Sequence, residues 1–404
     1  MLELKYSYIG DLQPKLQPVV AEFGRKNHLQ VELLRLGWED AWHQLLQWSL
    51  HGPYGQGPDI SHIGATWGGS LVGMESLRPF TPQEIRAMGG KETFLPHCWQ
   101  SGVNVDKEKA WSLPWQSYTY LLAYRRDLLE KFAIDEKTAF QTSHSLNETV
   151  ARLKGNINES PWVVPIANDH LDTLHYVSSW VWGSGGDFFT SDNLQVAFLE
   201  PTTLDAICSY YTLLHSMTLA AYPSNKLAAQ NIFMDGNAAV SIIGADNAYH
   251  WFLDQQAMSP EMRQKIGFAP IPGTPWVGGD TIIIWKQACI SPDRERAAVA
   301  LAQHLVSAET QRSFAQGEFI NLPTRADAFD ALPMQNTSLT NSVIYSLRVG
   351  RSHRPMSMWA KIEYQFANVF GRTGAEILAG ADVATTVRKN LEAHAKWLEI
   401  VLQR

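Results

Sequence analysis

The amino-acid sequence predicts an α/β fold made of two three-layer lobes, and three observations support this prediction. Strand-like and helix-like segments alternate along the first seventy residues, which is typical of a parallel sheet covered by helices on both faces. The chain has 404 residues, enough for two or three domains with their own cores. It contains no Gly/Ser-rich linker, so we expect several strands to pass between the lobes and form a hinge.

The first elements follow a β-α-β pattern. Apolar and polar residues alternate from Leu2 to Tyr8, which predicts a strand that ends at Gly10. A helix and two further strands are then expected at 16–23, 31–36 and 59–63.

The later elements are predicted from the same periodicities. Two strand-like runs are expected at 110–113 and 115–124. They are taken as separate because Pro114 lies between them and proline commonly ends a strand. Helices are expected at 128–132, 146–153, 171–182, 204–219 and 293–305. Further strands are expected at 238–243, 266–271 and 281–284, and the last eighty residues are mainly helical.

Three proline-containing segments are candidate crossings between the lobes, because proline restricts the direction of the chain. They are 113–114, 269–272 and 321–324, and the alternative is that they are ordinary strand ends. With these crossings the N-terminal lobe comprises 1–112 plus 271–320. The C-terminal lobe comprises 113–270 plus 321–404.

Composition narrows the classes of partner. Thirty-three Lys and Arg against forty acidic residues give a net charge of −7, so we expect no nucleic-acid partner.

Cys98, Cys208 and Cys289 are far apart and are expected to be three buried small side chains. No stretch of about 18 apolar residues occurs. Fifteen Trp residues are unusually many, which suggests that some indoles face a ligand.

Motifs for catalysis and metal binding are absent from the sequence. There is no GxSxG, HExxH, GxxxxGK[ST] or Rossmann glycine pattern between a strand and a helix. His170 and His175 are five positions apart around Asp172, which does not place them on one helix face. We therefore predict no catalytic residue, no metal and no cofactor.

Five blocks of sequence, in order, carry a resemblance to a known family. They are Pro58-Asp59-Ile60 with Thr66-Trp67 and Leu77-Arg78-Pro79; Leu113-Pro114-Trp115 with 122–129; 233–240 with Ile243-Gly244; Pro270-Ile271-Pro272-Gly273 with Gly278-Gly279; and 308–311 with Leu322-Pro323-Thr324-Arg325. In this order they resemble the extracellular solute-binding proteins of ABC importers, the family that includes maltose-binding protein. One departure is Asp246-Asn247, where family members often place an aromatic residue.

The resemblance implies a type II periplasmic-binding-protein fold, in which two lobes close on a ligand by hinge bending. The expected function is a non-enzymatic receptor that captures a mono-, di- or oligosaccharide or a glycoside in the cleft between the lobes. The expected partners are this carbohydrate and the membrane permease subunits, and we expect a monomer. Export to the periplasm or cell exterior is implied, with membrane association through the transporter and with a signal peptide removed before Met1.

Candidate ligand-binding residues combine aromatic rings, which cover the faces of a sugar, with side chains that hydrogen-bond its hydroxyl groups. They lie in loops after predicted strands, near the first crossing, or where the resemblance implies a residue that faces the cleft. The set is Asp11, Thr66, Trp67, Trp115, Gln116, Tyr118, Asn168, Asp169, His170, Asp246, Asn247, Trp276, Gly278, Gly279, Asp280 and Trp359. Asp11 could instead cap the following helix.

Other indoles are expected to pack in the core, because they have helical spacing or apolar neighbours. These are Trp38, Trp42, Trp48, Trp180, Trp182, Trp251 and Trp397. Two alternative functions remain open. The same fold could bind a polyol, a glycerophosphodiester or a polyamine, or the protein could be a carbohydrate-active hydrolase.

Overall fold

A computed structural model describes residues 1–52, 57–102, 109–166, 171–219, 222–254, 256–317, 319–334 and 336–402. The chain divides into two compact units. Unit 1 comprises 1–118, 277–333 and 352–360, and unit 2 comprises 119–276, 334–351 and 361–404.

The described residues form nine strands and seventeen α-helices. The strands are β1 Leu2–Ile9, β2 Leu29–Leu36, β3 Ile60–Gly64, β4 Leu77–Arg78, β5 Ser112–Arg125, β6 Val240–Gly244, β7 Ile266–Pro270, β8 Val277–Trp285 and β9 Leu322–Pro323. The helices are α1 Gln13–Asn27, α2 Trp38–His51, α3 Gly68–Gly73, α4 Pro82–Ala87, α5 Pro96–Gly102, α6 Arg126–Lys131, α7 Ser143–Leu153, α8 Leu171–Gly183, α9 Pro201–Thr212, α10 Lys226–Met234, α11 Ala245–Leu253, α12 Pro260–Lys265, α13 Pro292–Leu305, α14 Ala308–Phe314, α15 Thr337–Val349, α16 Trp359–Leu378 and α17 Val383–Leu402.

Unit 1 is built on a mixed sheet with the strand order β2-β1-β3-β8. β1 pairs in parallel with β2 and β3, and β8 runs antiparallel to β3. The carboxyl ends of β1, β2 and β3 therefore lie at one edge of the sheet, together with the amino end of β8. We call this edge the carboxyl edge.

The two faces of this sheet carry separate hydrophobic clusters, as expected when strand side chains alternate. One cluster includes Leu4, Tyr6 and Tyr8 of β1 and packs against α1 and α13. The other includes Ile283 and Trp285 of β8. Both faces are covered, so unit 1 has the three-layer arrangement that the sequence predicts.

Unit 2 is built around the second half of β5, which pairs antiparallel with both β6 and β7. Tyr120 lies opposite Gly244 at the end of β6. Helix α9 packs on both α8 and α17, and α15 packs on β7. No helix within the described ranges is long and apolar enough to span a bilayer.

Several sequence-based expectations differ from the structure. β5 is one strand of 14 residues that continues through Pro114, whose carbonyl accepts a hydrogen bond from Thr324 Oγ1 at 3.1 Å. The helix expected at 204–219 ends at Thr212 and continues as a 3-10 turn, Leu213–Ser216. Cys98 is buried as expected, but Cys208 is half-buried and Cys289 is exposed in a turn after β8.

The unit boundaries also differ in detail from the predicted lobes. β5 changes units between 118 and 119, and the chain returns to unit 1 between 276 and 277. Residues 321–333 stay in unit 1, because β9 pairs with Gln116 and Ser117. Thr324 is held in the same unit by two hydrogen bonds with Gln311, of 2.8 and 2.9 Å.

Candidate functional site

Glycine residues mark the ends of the three parallel strands at the carboxyl edge. Gly10 follows β1, Gly37 follows β2, and Gly64 is the last residue of β3. Gly10 has a positive φ of 82°, and a Cβ atom there would lie 3.3 Å from Trp38 Nε1. The indole of Trp38 can therefore lie over the loop after β1 only because this residue has no side chain.

Three indoles form a cluster at this edge, which we call the aromatic platform: Trp38, Trp42 and Trp67. The Trp67 ring lies 5.8 Å from Trp38 and 5.6 Å from Trp42, in edge and tilted geometries. Trp38 is 51% exposed, while Trp42 and Trp67 are half-buried. Trp38 was expected in the core, and this is wrong because α2 begins at Trp38 directly after the end of β2.

A charged pair lies beside the platform in the loop after β1. The Asp11 carboxylate is 2.6 Å from the Arg35 guanidinium, and Arg35 Nε donates to the Gly10 carbonyl at 3.2 Å. Asp11 is 88% exposed. It does not cap α1, since the N-cap residue is Leu12. Thr66 is half-buried in the 3-10 turn Ala65–Trp67 that follows β3.

His62 lies on β3, on the sheet face opposite to the cluster against which Trp42 and Trp67 pack, and Trp38 is the platform residue that it contacts. Its Nδ1 accepts a hydrogen bond from the Ile9 N–H at 3.2 Å, and its Nε2 lies 2.9 Å from Asp280 Oδ2. Its ring makes edge contacts with Trp38 at 6.4 Å and with Trp115 at 4.8 Å. His62 thus lies between the exposed Trp38 and the core.

The start of β8 brings Gly278, Gly279 and Asp280 to the carboxyl edge. Gly279 has a φ of 137°, and a Cβ atom there would lie 2.0 Å from the Gln116 carbonyl oxygen. Glycine is thus required by the close approach of β8 to β5. The Gln116 side chain is buried, and its Oε1 accepts a hydrogen bond from Asn321 Nδ2 at 2.7 Å.

Two predicted site indoles of unit 1 are in the hydrophobic core instead. Trp115 is only 2% exposed and packs against His62 and Phe314. Trp359 is buried as well, with its ring 4.5 Å from that of His353. Indoles covered in this way offer no accessible face for stacking on a sugar. Tyr118 is half-buried on β5.

In unit 2, Trp276 belongs to a second aromatic group. The His175 ring stacks on the Trp276 indole at 3.8 Å, and Tyr120 lies 5.5 Å from the same indole. His175 Nε2 is 3.3 Å from the Glu363 carboxylate, and the Tyr120 hydroxyl donates to Asp172. Trp276 is 6% exposed. Trp276, a predicted site residue, is therefore buried against the rings of His175 and Tyr120.

Asp246 and Asn247 are half-buried in the first turn of α11, directly after β6. A carboxylate is favourable there because the helix N-terminus carries partial positive charge. Asp246 Oδ1 is buried and has no hydrogen-bond partner among the described residues. The predicted residues Asn168, Asp169 and His170 lie outside the described part of the chain.

The sequence interpretation missed Trp38, Arg35 and His62. Trp38 could have been found, because it follows the end of a predicted strand as Asp11 and Trp67 do. Its spacing of four residues from Trp42 favoured a core assignment instead. His62 carried no local signal, since its proximity to Asp280 depends on the register between β3 and β8.

Several solved structures share the fold of this chain. MalE, the sugar-binding protein of Xanthomonas citri, has a TM-score of 0.82 at 19% identity, with 99% of this chain and 97% of that chain covered. An ABC transporter solute-binding protein from Thermotoga lettingae TMO, bound with α-D-tagatose, has a TM-score of 0.78 at 20% identity, with 100% of both chains covered. One from Agrobacterium radiobacter K84, in complex with ribitol, has a TM-score of 0.73 at 17% identity, with 98% of both covered. The fold is that of MalE-type periplasmic binding proteins.

The family model described as bacterial extracellular solute-binding protein matches residues 19–339. The chain belongs to this family. It is a solute-binding protein and not an enzyme, and as a family member it acts in the periplasm or outside the cell. The predictions of the family and of the α/β fold class are confirmed.

Proposed function

We propose that this protein binds a neutral carbohydrate or polyol and delivers it to the permease of an ABC importer. The observation that carries the proposal is the aromatic platform at the carboxyl edge, with the Asp11–Arg35 pair beside it. An indole face packs on the C–H face of a sugar ring, while carboxylate and guanidinium groups hydrogen-bond its hydroxyls. The tagatose and ribitol bound by the structural relatives have this chemistry.

The charges at the edge favour a neutral ligand. Arg35 is paired with Asp11, and Lys15 Nζ donates to the carbonyls of Phe314 and Gln316 at 2.7 and 3.0 Å. Burial also lowers the pKa of Lys15 to about 8. A glycerophosphodiester needs a cation available for its phosphate, and both of these cations already have partners. A polyamine needs several available carboxylates, whereas Asp11 is paired with Arg35 and only 16% of the Asp280 side chain is exposed.

We propose binding residues in each unit. In unit 1 they are Asp11, Trp38, Thr66, Trp67, Gln116, Tyr118, Gly278, Gly279 and Asp280, and in unit 2 they are Asp246 and Asn247. Trp115, Trp276 and Trp359 are left out because they are buried. Closure of two lobes on the ligand stays a prediction, which small-angle X-ray scattering with and without ligand tests.

The first experiment is a panel of sugars, polyols, polyamines and glycerophosphodiesters. A cognate ligand should raise the melting temperature by mass action and change Trp fluorescence. Prolonged incubation should return a bound sugar chemically intact. If only charged compounds bind, or if no sugar or polyol shifts either signal, the proposal is wrong.

The second experiment removes the platform indoles one at a time. Trp38→Ala and Trp67→Ala should each weaken binding of the panel's best ligand roughly tenfold, because each removes a stacking surface. Tyr345→Ala is the matched control, since Tyr345 is an exposed aromatic on α15 of unit 2. Calorimetric titration should find its affinity unchanged. Equal affinities for all three variants would exclude the platform from the binding site.

A further inference from the structure

A group of polar side chains lies next to Trp38 of the platform, on one face of the sheet: Tyr6, His62 and Asp280. The strand register places all three on one face of the sheet. Tyr6 of β1 lies opposite Ile60 of β3, which is two residues before His62. His62 in turn lies opposite Ile282 of β8, which is two residues after Asp280. Side chains two residues apart in a strand lie on the same face of the sheet. Side chains that are far apart in the sequence thus meet at the carboxyl edge.

The hydrogen bond at Nδ1 selects one tautomer of the neutral His62 ring. Because Nδ1 accepts the Ile9 N–H, the neutral ring carries its proton on Nε2. Nε2 is 2.9 Å from Asp280 Oδ2, but its N–H direction does not meet the carboxylate well enough for a hydrogen bond. His62 is almost completely buried.

Tyr6 provides a second buried donor near the same carboxylate. Its hydroxyl has no hydrogen-bond partner in the part of the chain that the structure describes. Burial, and secondly the negative charge of Asp280, raise the pKa of Tyr6 well above its usual value. The hydroxyl therefore keeps its proton. Leaving such donors unpaired costs free energy, which a reoriented acceptor would recover.

Asp280 connects these buried donors with the accessible edge. Its side chain is 16% exposed, and the residue lies opposite Gly64 at the end of β3. The His62 ring beneath it also contacts Trp38 of the platform. A carboxylate in this position can be held from below while it accepts hydrogen bonds from a ligand at the edge.

We propose that Asp280 determines specificity by accepting hydrogen bonds from ligand hydroxyl groups, and that His62 is the positioning residue that orients its carboxylate. The inference rests on the proposed function and sharpens it. The ligand must present hydroxyl donors at this point, so analogues that lack a hydroxyl or carry a carboxylate there are rejected. Tyr6 supports the same carboxylate from the buried side.

Two substitutions at His62 separate the roles of its two ring nitrogens. The amide nitrogen of His62→Gln can replace the Nε2 donor, whereas the carbonyl oxygen of His62→Asn can replace only the Nδ1 acceptor. With the panel's best ligand, His62→Gln should bind within threefold of the unchanged protein, and His62→Asn about tenfold more weakly. Asp280→Asn should lose at least tenfold, and Tyr6→Phe about threefold. Thermal melts check that each variant folds.

A double-mutant cycle distinguishes positioning from a general structural role. In an Asp280→Asn background, His62→Asn should weaken binding by less than twofold, because the carboxylate it positions is gone. Equal affinities for the two His62 variants, or additive losses in the cycle, would overturn the positioning role. If the His62 variants do not fold, Asp280→Asn or Tyr6→Phe binding as tightly as the unchanged protein overturns the inference. Absence of any sugar or polyol binding by the unchanged protein would instead reject the proposed function, and this inference with it.

Discussion

The carboxyl edge of unit 1 and the sheet face beneath it use the same residue types for different purposes. At the edge, Trp38 is half exposed and contacts Trp67 and the side of His62. On the face, Trp115 is sealed in the core and contacts the same imidazole. The His62 ring thus lies between Trp38, whose indole is available to a ligand, and Trp115, whose indole packs in the core.

This difference shows that an indole's role depends on where its strand ends. Trp38 begins α2 two residues after the end of β2, so its side chain lies beyond the sheet at the edge. Trp115 lies inside β5, so its side chain stands on a covered face. Both are next to Gly or Pro in the sequence, and this local signal does not distinguish them.

The largest effect is expected for protein stability, which should differ between a variant on the sheet face and a variant at the carboxyl edge. Trp115→Ala should lower the free energy of unfolding by about 3–5 kcal/mol, because it leaves a cavity in the core. Trp38→Ala should change it by less than about 1 kcal/mol, since the ring is already partly solvated. Urea denaturation followed by circular dichroism measures both. Similar losses for the two variants would remove the distinction between edge and face.

Acid provides a second test, because an imidazole that is buried in its neutral form makes the folded state bind fewer protons than the unfolded chain. Burial lowers the pKa of His97 in unit 1 and of His394 in unit 2 to about 4, below the unfolded value near 6.5. Between these values the unfolded chain binds more protons, so the free energy of unfolding should fall as pH decreases from about 6.5 to 4. Each residue contributes on the order of 3 kcal/mol to this loss.

The variants that check this titration are His97→Asn and His394→Asn. Each should make the fall in stability between pH 6.5 and 4 shallower in urea denaturation series. His144→Asn is the control, because His144 is exposed on α7. If the control flattens the profile as much as the buried variants do, burial is not the cause.

The smallest expected effect concerns the Asp11–Arg35 pair at the edge. Asp11→Ala should leave the melting temperature almost unchanged, because exposed ion pairs contribute little to stability. Its affinity for the panel's best ligand should fall a few-fold, through the loss of a hydroxyl acceptor and of the partner that orients Arg35. A stability loss without an affinity loss would assign the pair to the fold rather than to the site.

Local patterns predicted much of the fold. The alternation of apolar and polar residues located β1, and the same rule explains why Tyr6 and Tyr8 share one core cluster. Loop positions after predicted strands also selected Asp11 and Trp67, which the structure places at the carboxyl edge. The strand prediction is confirmed because strand period is a property of short segments, while the ligand-binding role of Asp11 and Trp67 stays a prediction.

Features that depend on strand pairing could not be predicted. No sequence pattern around His62 predicts that it lies close to Asp280, because this proximity depends on the antiparallel register of β3 and β8. Pro114 suggested a strand end, but the hydrogen bond from Thr324 lets β5 continue through it. The segment around 321–324 looked like a crossing, although its bonds to Gln311 and to β5 keep it in unit 1.

The glycine at position 279 also has a consequence for how new specificities can evolve. Any side chain there would collide with the Gln116 backbone, so this part of β8 cannot vary. The loops after β1, β2 and β3 have no such restriction at Asp11, Trp38 and Thr66, which are exposed or half-buried. Ligand preference can therefore change through single substitutions in these three short loops, while Gly279 of β8 stays the same.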